Sequence, residues 1–472
     1  MSALSNIEHF VVLMLENRSF DSMLGALYPK SPTFDGLAGT EQNADPAGAP
    51  IAVWCGTGTD EASMRVPDPD PGELWTDINT QLFGTPAVPS PAPPPTMDGF
   101  VKNYLTQKGG PVGKNIMHYY TPKQVPVLST LAKKFAVCDR WFASAPCQTW
   151  PNRWFVHAAT ADGHQDNEPI HLPDVDTIYN RFEQAGMHDW TIYFHDMAQA
   201  HTLLRLLPLC SHFHPYSRFA ADCQTASLPT YSFIEPQYYP DLFHSENDQH
   251  PPSVVTLGEQ LIADVYNCLR ASKLWTKTLL IITYDEHGGC YDHVPPPAAA
   301  PPAPPTPKQV FAFDRYGVRV PTVIVSPYVQ AGTTLRPPGA VPFDHTSIIA
   351  TLRKRYPQLG GPLTARDAAA PDLESVLTLT SPDNKGPSRI RALPYAPTPA
   401  TAATAHVQPL NSNQQALTDL AANLPQTPGV DLQACMASLK GSIAQAPDAM
   451  KADARTASAY VKQQVGNFFR SV

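Results

Sequence analysis

Several things are missing from this chain of 472 residues, and each absence narrows what it can be. Its 33 Lys and Arg stand against 42 Asp and Glu, for a formal charge of −9, and the basic residues form no stripe. Binding to a phosphate backbone needs such a stripe, so nucleic acid is excluded as a partner class. The eight cysteines, Cys55, Cys138, Cys147, Cys210, Cys223, Cys268, Cys290 and Cys435, include no CxxC pair. A structural zinc site is therefore disfavoured. Reduced, mostly buried thiols are the expectation, with Cys210 and Cys223 the first pair to test for a disulfide. No apolar run reaches the roughly 18 residues that a membrane span needs. The first residues, MSALSNIEHFVVLMLENRSF, lack a basic n-region and a small-residue cleavage site, so they read as a first strand and not as a signal peptide. The expected location is cytoplasmic, or outside the cell by a route that cleaves no N-terminal signal.

What is present points to a globular enzyme-sized core. Hydrophobic residues make up 43% and charged residues 16%, while 52 prolines foretell long irregular connections. Ile7 to Leu15 is a continuous apolar run that ends at polar ENRSFD, as expected of a strand buried on both faces of a parallel sheet. Residues 40–97, with PSPAPPPT near their end, predict an irregular excursion. PVLSTLAKKFAVCDRWF reads as helix into strand, and TWPNRWFVHAAT as a turn into a helix that starts after Pro151. TIYNRFEQAG predicts a helix and WTIYF a strand. Leu257, Leu261, Val265 and Leu269 recur at helical spacing before TLLIITYDEHGG, the clearest buried strand. Pro295–Pro307 reads as an exposed polyproline loop, VPTVIVSPYV as a strand, and FDHTSIIATLRKRY as a helix with Asp344 as its N-cap candidate.

Helices alternating with apolar strands imply an α/β fold, a mainly parallel central sheet sandwiched by helices. We expect a catalytic domain over 1–385, with the irregular insertion at about 40–97. Residues 386–472, rich in Ala, Pro, Thr and Gln, are expected to form a helical extension packed on or beside it.

Polar clusters fall where strands end: Glu16 and Asn17 after the first, Asp285 and Glu286 after the strongest, and Thr149 in QTWPNR. Strand ends of a parallel sheet share one edge, so these residues can converge despite their separation. Gly288 and Gly289 let the strand break into a loop that turns both acids to one side. An isolated acid pair is more often a solvated turn, but two such pairs ending two of the most apolar strands favour a cation between them. All the donors are oxygens, which suit Ca²⁺, Mg²⁺ or Mn²⁺ better than Zn²⁺, though Zn²⁺ stays possible.

Six motifs together resemble the bacterial phosphoesterase family of phospholipases C and acid phosphatases, part of the alkaline-phosphatase-like superfamily. They are ENRSFD (Glu16–Asp21), TWPNR (Thr149–Arg153), SFIEP (Ser232–Pro236), YDEHGGCYDHVPPP (Tyr284–Pro297), VPTVIVSP (Val320–Pro327) and FDHTSI (Phe343–Ile348). The resemblance covers roughly residues 5–370 and leaves the C-terminal hundred uncovered. It implies that Glu16, Asn17, Asp285 and Glu286 bind one divalent metal ion, and that Thr149 touches the same ion and is the nucleophile. Trp150 stands where the family usually has Asp. His250, in ENDQHPP, corresponds to a histidine that contacts phosphate or protonates the leaving group, and a near-neutral pKa suits either role. His195 is a weaker candidate for a phosphate contact, while His287, His293, Asp344 and His345 are expected to brace the metal loops.

One departure stands out. In DPDPGELW, Glu73 takes the place of a family histidine, so it would bind a cationic substrate group, carry a proton or join the metal shell. The implied activity is phospholipase C-like cleavage of a phospholipid, ahead of acid phosphatase action on small phosphomonoesters or non-catalytic phosphoester binding. A sulfatase or mutase is disfavoured because no Cys-x-Pro-x-Arg motif occurs. Peripheral membrane contact would fall to Trp75, Leu82 and Phe83, unless these pack on the core. The sequence carries no signal for an oligomeric state.

Overall fold

The computed structural model describes residues 3–88, 92–169, 172–240, 245–304, 309–395, 408–427 and 429–472. The polyproline reading of Pro295–Pro307 falls partly outside them. Strands in chain order are β1 (His9–Leu15), β2 (Gln42–Ala44), β3 (Pro50–Ala52), β4 (Ala136–Cys138), β5 (Trp190–Phe194), β6 (Phe213–Pro215), β7 (Tyr231–Ile234), β8 (Thr278–Tyr284), β9 (Thr322–Val325) and β10 (Thr333–Leu335). The helices of the first 385 residues are α1 (Phe20–Leu24), α2 (Trp75–Phe83), α3 (Phe100–Tyr104), α4 (Pro126–Lys134), α5 (Thr149–Ala158), α6 (Ile178–Gln184), α7 (Ser217–Thr225), α8 (Val255–Ala271), α9 (Thr346–Arg355) and α10 (Ala365–Ala369). Beyond them come α11 (Ser412–Asn423), α12 (Leu432–Gly441) and α13 (Ala454–Ser471).

β1 and β8 lie at the centre because nothing polar interrupts them: every residue of TLLIITY in β8 is buried, as are all of HFVVLML but His9. Both faces must then be covered, which is what flanking helices do. The sheet has eight strands in the order β10-β4-β9-β8-β1-β7-β5-β6. Seven run one way, and β9 alone is antiparallel to its neighbours β8 and β4. The architecture is the expected mixed α/β sandwich with a mostly parallel sheet. All eight cysteines are unpaired.

The structure corrects the expectations in several places. The stretch 40–97 is not without regular structure: β2 and β3 pair as a hairpin, and α2 ends on Gly84 in the left-handed region at φ 72°. Composition hid this helix, since WTDINTQLF is framed by prolines and glycines. Leu82 is fully buried, and Trp75 packs against Phe311 with ring centroids 4.3 Å apart. The Arg315 guanidinium lies over Trp75 and Phe83 at 5.1 and 4.8 Å. These side chains therefore pack inward and are not free to meet a membrane. α5 begins at Thr149, not after Pro151, so Pro151 occupies the first turn, where its missing N–H costs nothing. At α9 the cap is His345, one residue beyond Asp344.

The C-terminal helices share the main core, since Leu417, Leu420, Val461 and Phe468 belong to the same buried cluster as β1 and β8. Phe469 stacks on Phe194 of β5 at 5.4 Å. The extension thus sits on the sheet's own end elements.

α4 is anchored through its N-terminus, where the N–H groups of Val127 and Leu128 donate to the buried Glu259 carboxylate of α8 at 2.6 and 2.9 Å. Glu259→Ala orphans both donors and is expected to lower the unfolding free energy by about 3 kcal/mol, read from urea denaturation.

Candidate active site

β1 and β8 are parallel neighbours in a register that pairs Leu15 with Tyr284. The Asp285 N–H continues the ladder by donating to the Leu15 carbonyl at 3.2 Å, so Glu16 and Asp285 leave the sheet side by side. Both chains then bend sharply. Asn17 has φ 60°, and Gly288 and Gly289 have φ 59° and 63°. A Cβ on Gly288 would fall 2.2 Å from the Asn17 carbonyl, and one on Gly289 would fall 2.7 Å from Pro71. Only glycines let the loop after β8 touch both the loop after β1 and the loop that carries Glu73.

Asn17 then ties the acids together. Its N–H donates to Asp285 Oδ1 at 3.0 Å, and its Nδ2 donates to Glu286 Oε1 at 2.7 Å and to Glu73 Oε1 at 2.5 Å. Its Oδ1 accepts from the Thr149 hydroxyl at 3.4 Å. Thr149 is the first residue of α5, fully buried, at the positive end of the helix. The TWPNR motif builds that position. Asn152 accepts from the Ala145 N–H at 3.0 Å and donates to the Ala145 and Cys147 carbonyls, pinning the turn before Thr149. Arg153 places Nε 3.3 Å from Glu16 Oε1 and 3.4 Å from Asp285 Oδ2, while Nη2 donates to the Met14 carbonyl.

Four buried carboxylates, Glu16, Glu73, Asp285 and Glu286, therefore face two buried cations, Arg153 and His250. Burial drives the pKa of Glu16 well above the carboxylate range, with Arg153 opposing and Asp285 adding. Burial also drives Glu286 well upward, reinforced by Glu73 and Asp285, and raises Asp285 against the pull of Arg153. Asp285 Oδ2 is buried with no hydrogen-bond partner among the described residues. An orphaned carboxylate oxygen inside an all-oxygen cluster short of positive charge fits a hard divalent cation. Asp70, Glu73 and His250 also form a group able to hold an ion.

The histidines separate into three settings. His250 joins the cluster: its Nε2 lies 3.3 Å from Glu73 Oε1 and its Nδ1 is 2.7 Å from the Pro251 carbonyl. Burial favours the neutral ring, but Asp70 and Glu73 outweigh it and hold the His250 pKa well above its usual value. His345 and His287 stand behind the acids. Trp141 donates to His345 Nδ1 at 3.2 Å, so His345 Nε2 carries the proton toward the Asp285 carbonyl at 2.6 Å. His287 bridges Gln81 and Glu286, and burial lowers its pKa to about 3. Asp344 accepts from Ser144 and Thr346, away from the acids. His195 and His293 lie elsewhere. His195 stacks on Tyr216 at the end of β5 and meets the Glu235 carbonyl at 2.8 Å. His293 belongs to a second buried network in which Arg319 joins Asp21 and Asp292, each at 3.0 Å.

Two residues went unassigned in the sequence. Arg153 sits inside a quoted motif, yet nothing in the motif says which acids it meets. Asn413, from the C-terminal extension, donates to Glu16 Oε1 and Oε2 at 3.0 and 3.2 Å across 397 positions of sequence, beyond any local signal. A cleft of about 950 Å³ opens beside these groups, lined by Asp70, Glu73, Leu74, Gln148, Ser412 and Lys451 among others.

A model of the phosphoesterase family matches residues 7–357. The chain belongs to the phosphoesterase family. It is similar to non-specific phospholipase C3 of Arabidopsis thaliana, with 39% identity over 413 residues that span 84% of this chain and 78% of that protein. Non-specific phospholipase C5 of the same plant is 38% identical over 81% of this chain and 76% of its own length. Phospholipase C A of Mycobacterium tuberculosis is 28% identical over 81% and 79%. This phosphoesterase is therefore a phosphoric ester hydrolase of the phospholipase C-like kind.

The second network generates a pH prediction. Burial lowers the His293 pKa, but hydrogen bonds to Asp21 and Asp35 raise it overall to about 9. Stabilisation from the charged ring is complete below its unfolded value near about 6.5 and is lost as pH rises through about 9. The melting-temperature gap between wild type and His293→Gln is expected to be largest at about pH 6 and to shrink toward pH 9.5.

Proposed function

We propose that this phosphoesterase cleaves the phosphodiester of a phospholipid, with Thr149 as nucleophile and one divalent cation held by Glu16, Asn17, Thr149, Asp285 and Glu286. The observation that carries the reading is the burial of the Thr149 hydroxyl on Asn17, the residue that also binds Asp285, Glu286 and Glu73. The relatives named as phospholipases C support the lipid substrate. Oxygen donors alone favour Mg²⁺, Ca²⁺ or Mn²⁺ over Zn²⁺. Such an ion lowers the pKa of a bound hydroxyl and offsets charge on phosphoryl oxygens.

The chain's own groups supply the rest. Thr149 Oγ1 attacks phosphorus, the bond from phosphorus to the glycerol oxygen breaks, and His250 gives its proton to the departing diacylglycerol. Water then attacks the phosphothreonine and releases the phosphorylated head group, restoring the hydroxyl. The N-terminus of α5 places its positive end beneath the phosphoryl group as charge accumulates. Glu73 keeps His250 protonated for its donor role, and from the cleft wall it favours a positively charged head group over an anionic one. Contact with the lipid surface falls to the cleft rim, where Leu74 is 50% exposed and Val310, next to the packed Phe311, is 78% exposed.

Thr149→Ala is expected to lower turnover of a short-chain phosphatidylcholine by roughly 10³-fold or more while the fold is retained by circular dichroism. Unchanged turnover rejects the nucleophile. EDTA is expected to abolish wild-type activity, with recovery on adding back Mg²⁺, Ca²⁺ or Mn²⁺. If p-nitrophenyl phosphate is hydrolysed faster than the diester, the enzyme is a monoesterase instead.

A further inference from the structure

The C-terminal extension enters the site by its first helical turn. Ser412 Oγ accepts from Gln148 Nε2 and from Asn167 Nδ2, both at 3.1 Å, and Asn167 Oδ1 in turn accepts from the Trp150 N–H at 2.8 Å. Gln414 Nε2 donates to the Tyr238 carbonyl at 2.7 Å. Asn413, between them, is fully buried. Its Oδ1 accepts from the Trp150 indole N–H at 2.9 Å and its Nδ2 donates to both oxygens of Glu16. An indole nitrogen can only donate, so Trp150 fixes which way the Asn413 amide faces. With Oδ1 turned to Trp150, Nδ2 has one direction left, toward Glu16.

We propose that Asn413 is a positioning residue for the metal ligand Glu16, and that Trp150 sets its orientation. The inference rests on the reading of Glu16 as a metal ligand. It gives the residue after the nucleophile, which departs from the family's usual Asp, a task specific to this chain: Trp150 holds an amide supplied from the extension against the carboxylate. Asn413 donates to Glu16 without adding charge, so it fixes the carboxylate plane and leaves lone pairs for an ion. Partners of this kind usually change metal affinity by about 10- to 100-fold. The extension is then a part of the active site, and not only a cover over it.

The test uses the full chain stripped of metal and titrated calorimetrically with Mn²⁺ and Mg²⁺. Asn413→Ala is expected to weaken binding by about 10- to 100-fold and to recover most of its turnover at saturating metal. Trp150→Phe keeps the ring but loses the N–H, so it is expected to weaken binding in the same direction. The double variant should be no weaker than Asn413→Ala alone, because the two residues act in series. Phe468→Ala, which loosens α13 on the core, serves as the control and should lower the melting temperature while leaving metal affinity unchanged. Wild-type affinity in Asn413→Ala, with only the melting temperature reduced, overturns the proposal and leaves the metal reading standing. A wild-type chain that binds neither ion overturns both.

Discussion

The constraint on which the structure turns is the pairing of β1 with β8. That register sets Glu16 beside Asp285, and the apolar residues on both faces leave no room for water beneath them. Carboxylates gathered under such burial repel one another: two unit charges about 4 Å apart cost about 4 kcal/mol at an effective dielectric of 20. A folded domain is stable by only about 5–15 kcal/mol, so the cluster must be met by positive charge or take up protons. Arg153 and His250 meet part of it, and a hard cation meets the remainder. The affinity of the site for a metal and the strain that the fold bears there are one electrostatic fact.

The surroundings hold the cluster to one geometry. Gly288 and Gly289 permit three loops to touch, and Asn17 links the acids by donating to three of them. Behind these loops, Arg319 joins Asp21, next to the first motif, to Asp292, next to the second, and its guanidinium lies over Phe20 at 4.5 Å. The second network thus clamps the two loops that carry Glu16 and Asp285 without entering the site. From the other side α11 presses on the turn at Gln148 and on Trp150. Thr149 is held between a rigid helix start and a rigid carboxylate cage.

How much of this was legible in the sequence follows from the range of each signal. β1 and β8 announce themselves as unbroken apolar runs, and polar residues at their ends mark a shared edge, so Glu16, Asn17, Asp285 and Glu286 were placed together from pattern alone. α2 was missed because prolines and glycines on both sides outweigh a nine-residue helix in any reading of composition. Leu82, Trp75 and Phe83 were read as rim residues because their packing partners, Phe311 and Arg315, lie more than two hundred positions away. His293 has motif company but different neighbours, since the chain between Glu286 and His293 turns away toward Asp21. The Asn413 contact bridges nearly the whole chain and leaves no local trace.

The central claim is that the oxygens of Glu16, Asn17, Asp285 and Glu286 form one cation site that also touches Thr149. Anomalous diffraction from crystals of the full chain grown with Mn²⁺ tests it most directly. The account predicts a single strong peak within coordination distance, about 2.0–2.6 Å, of Asp285 Oδ2 and Thr149 Oγ1, with Arg153 outside the coordination sphere. A peak confined to another group of acids, with Asp285 Oδ2 paired instead to Arg153, would contradict it.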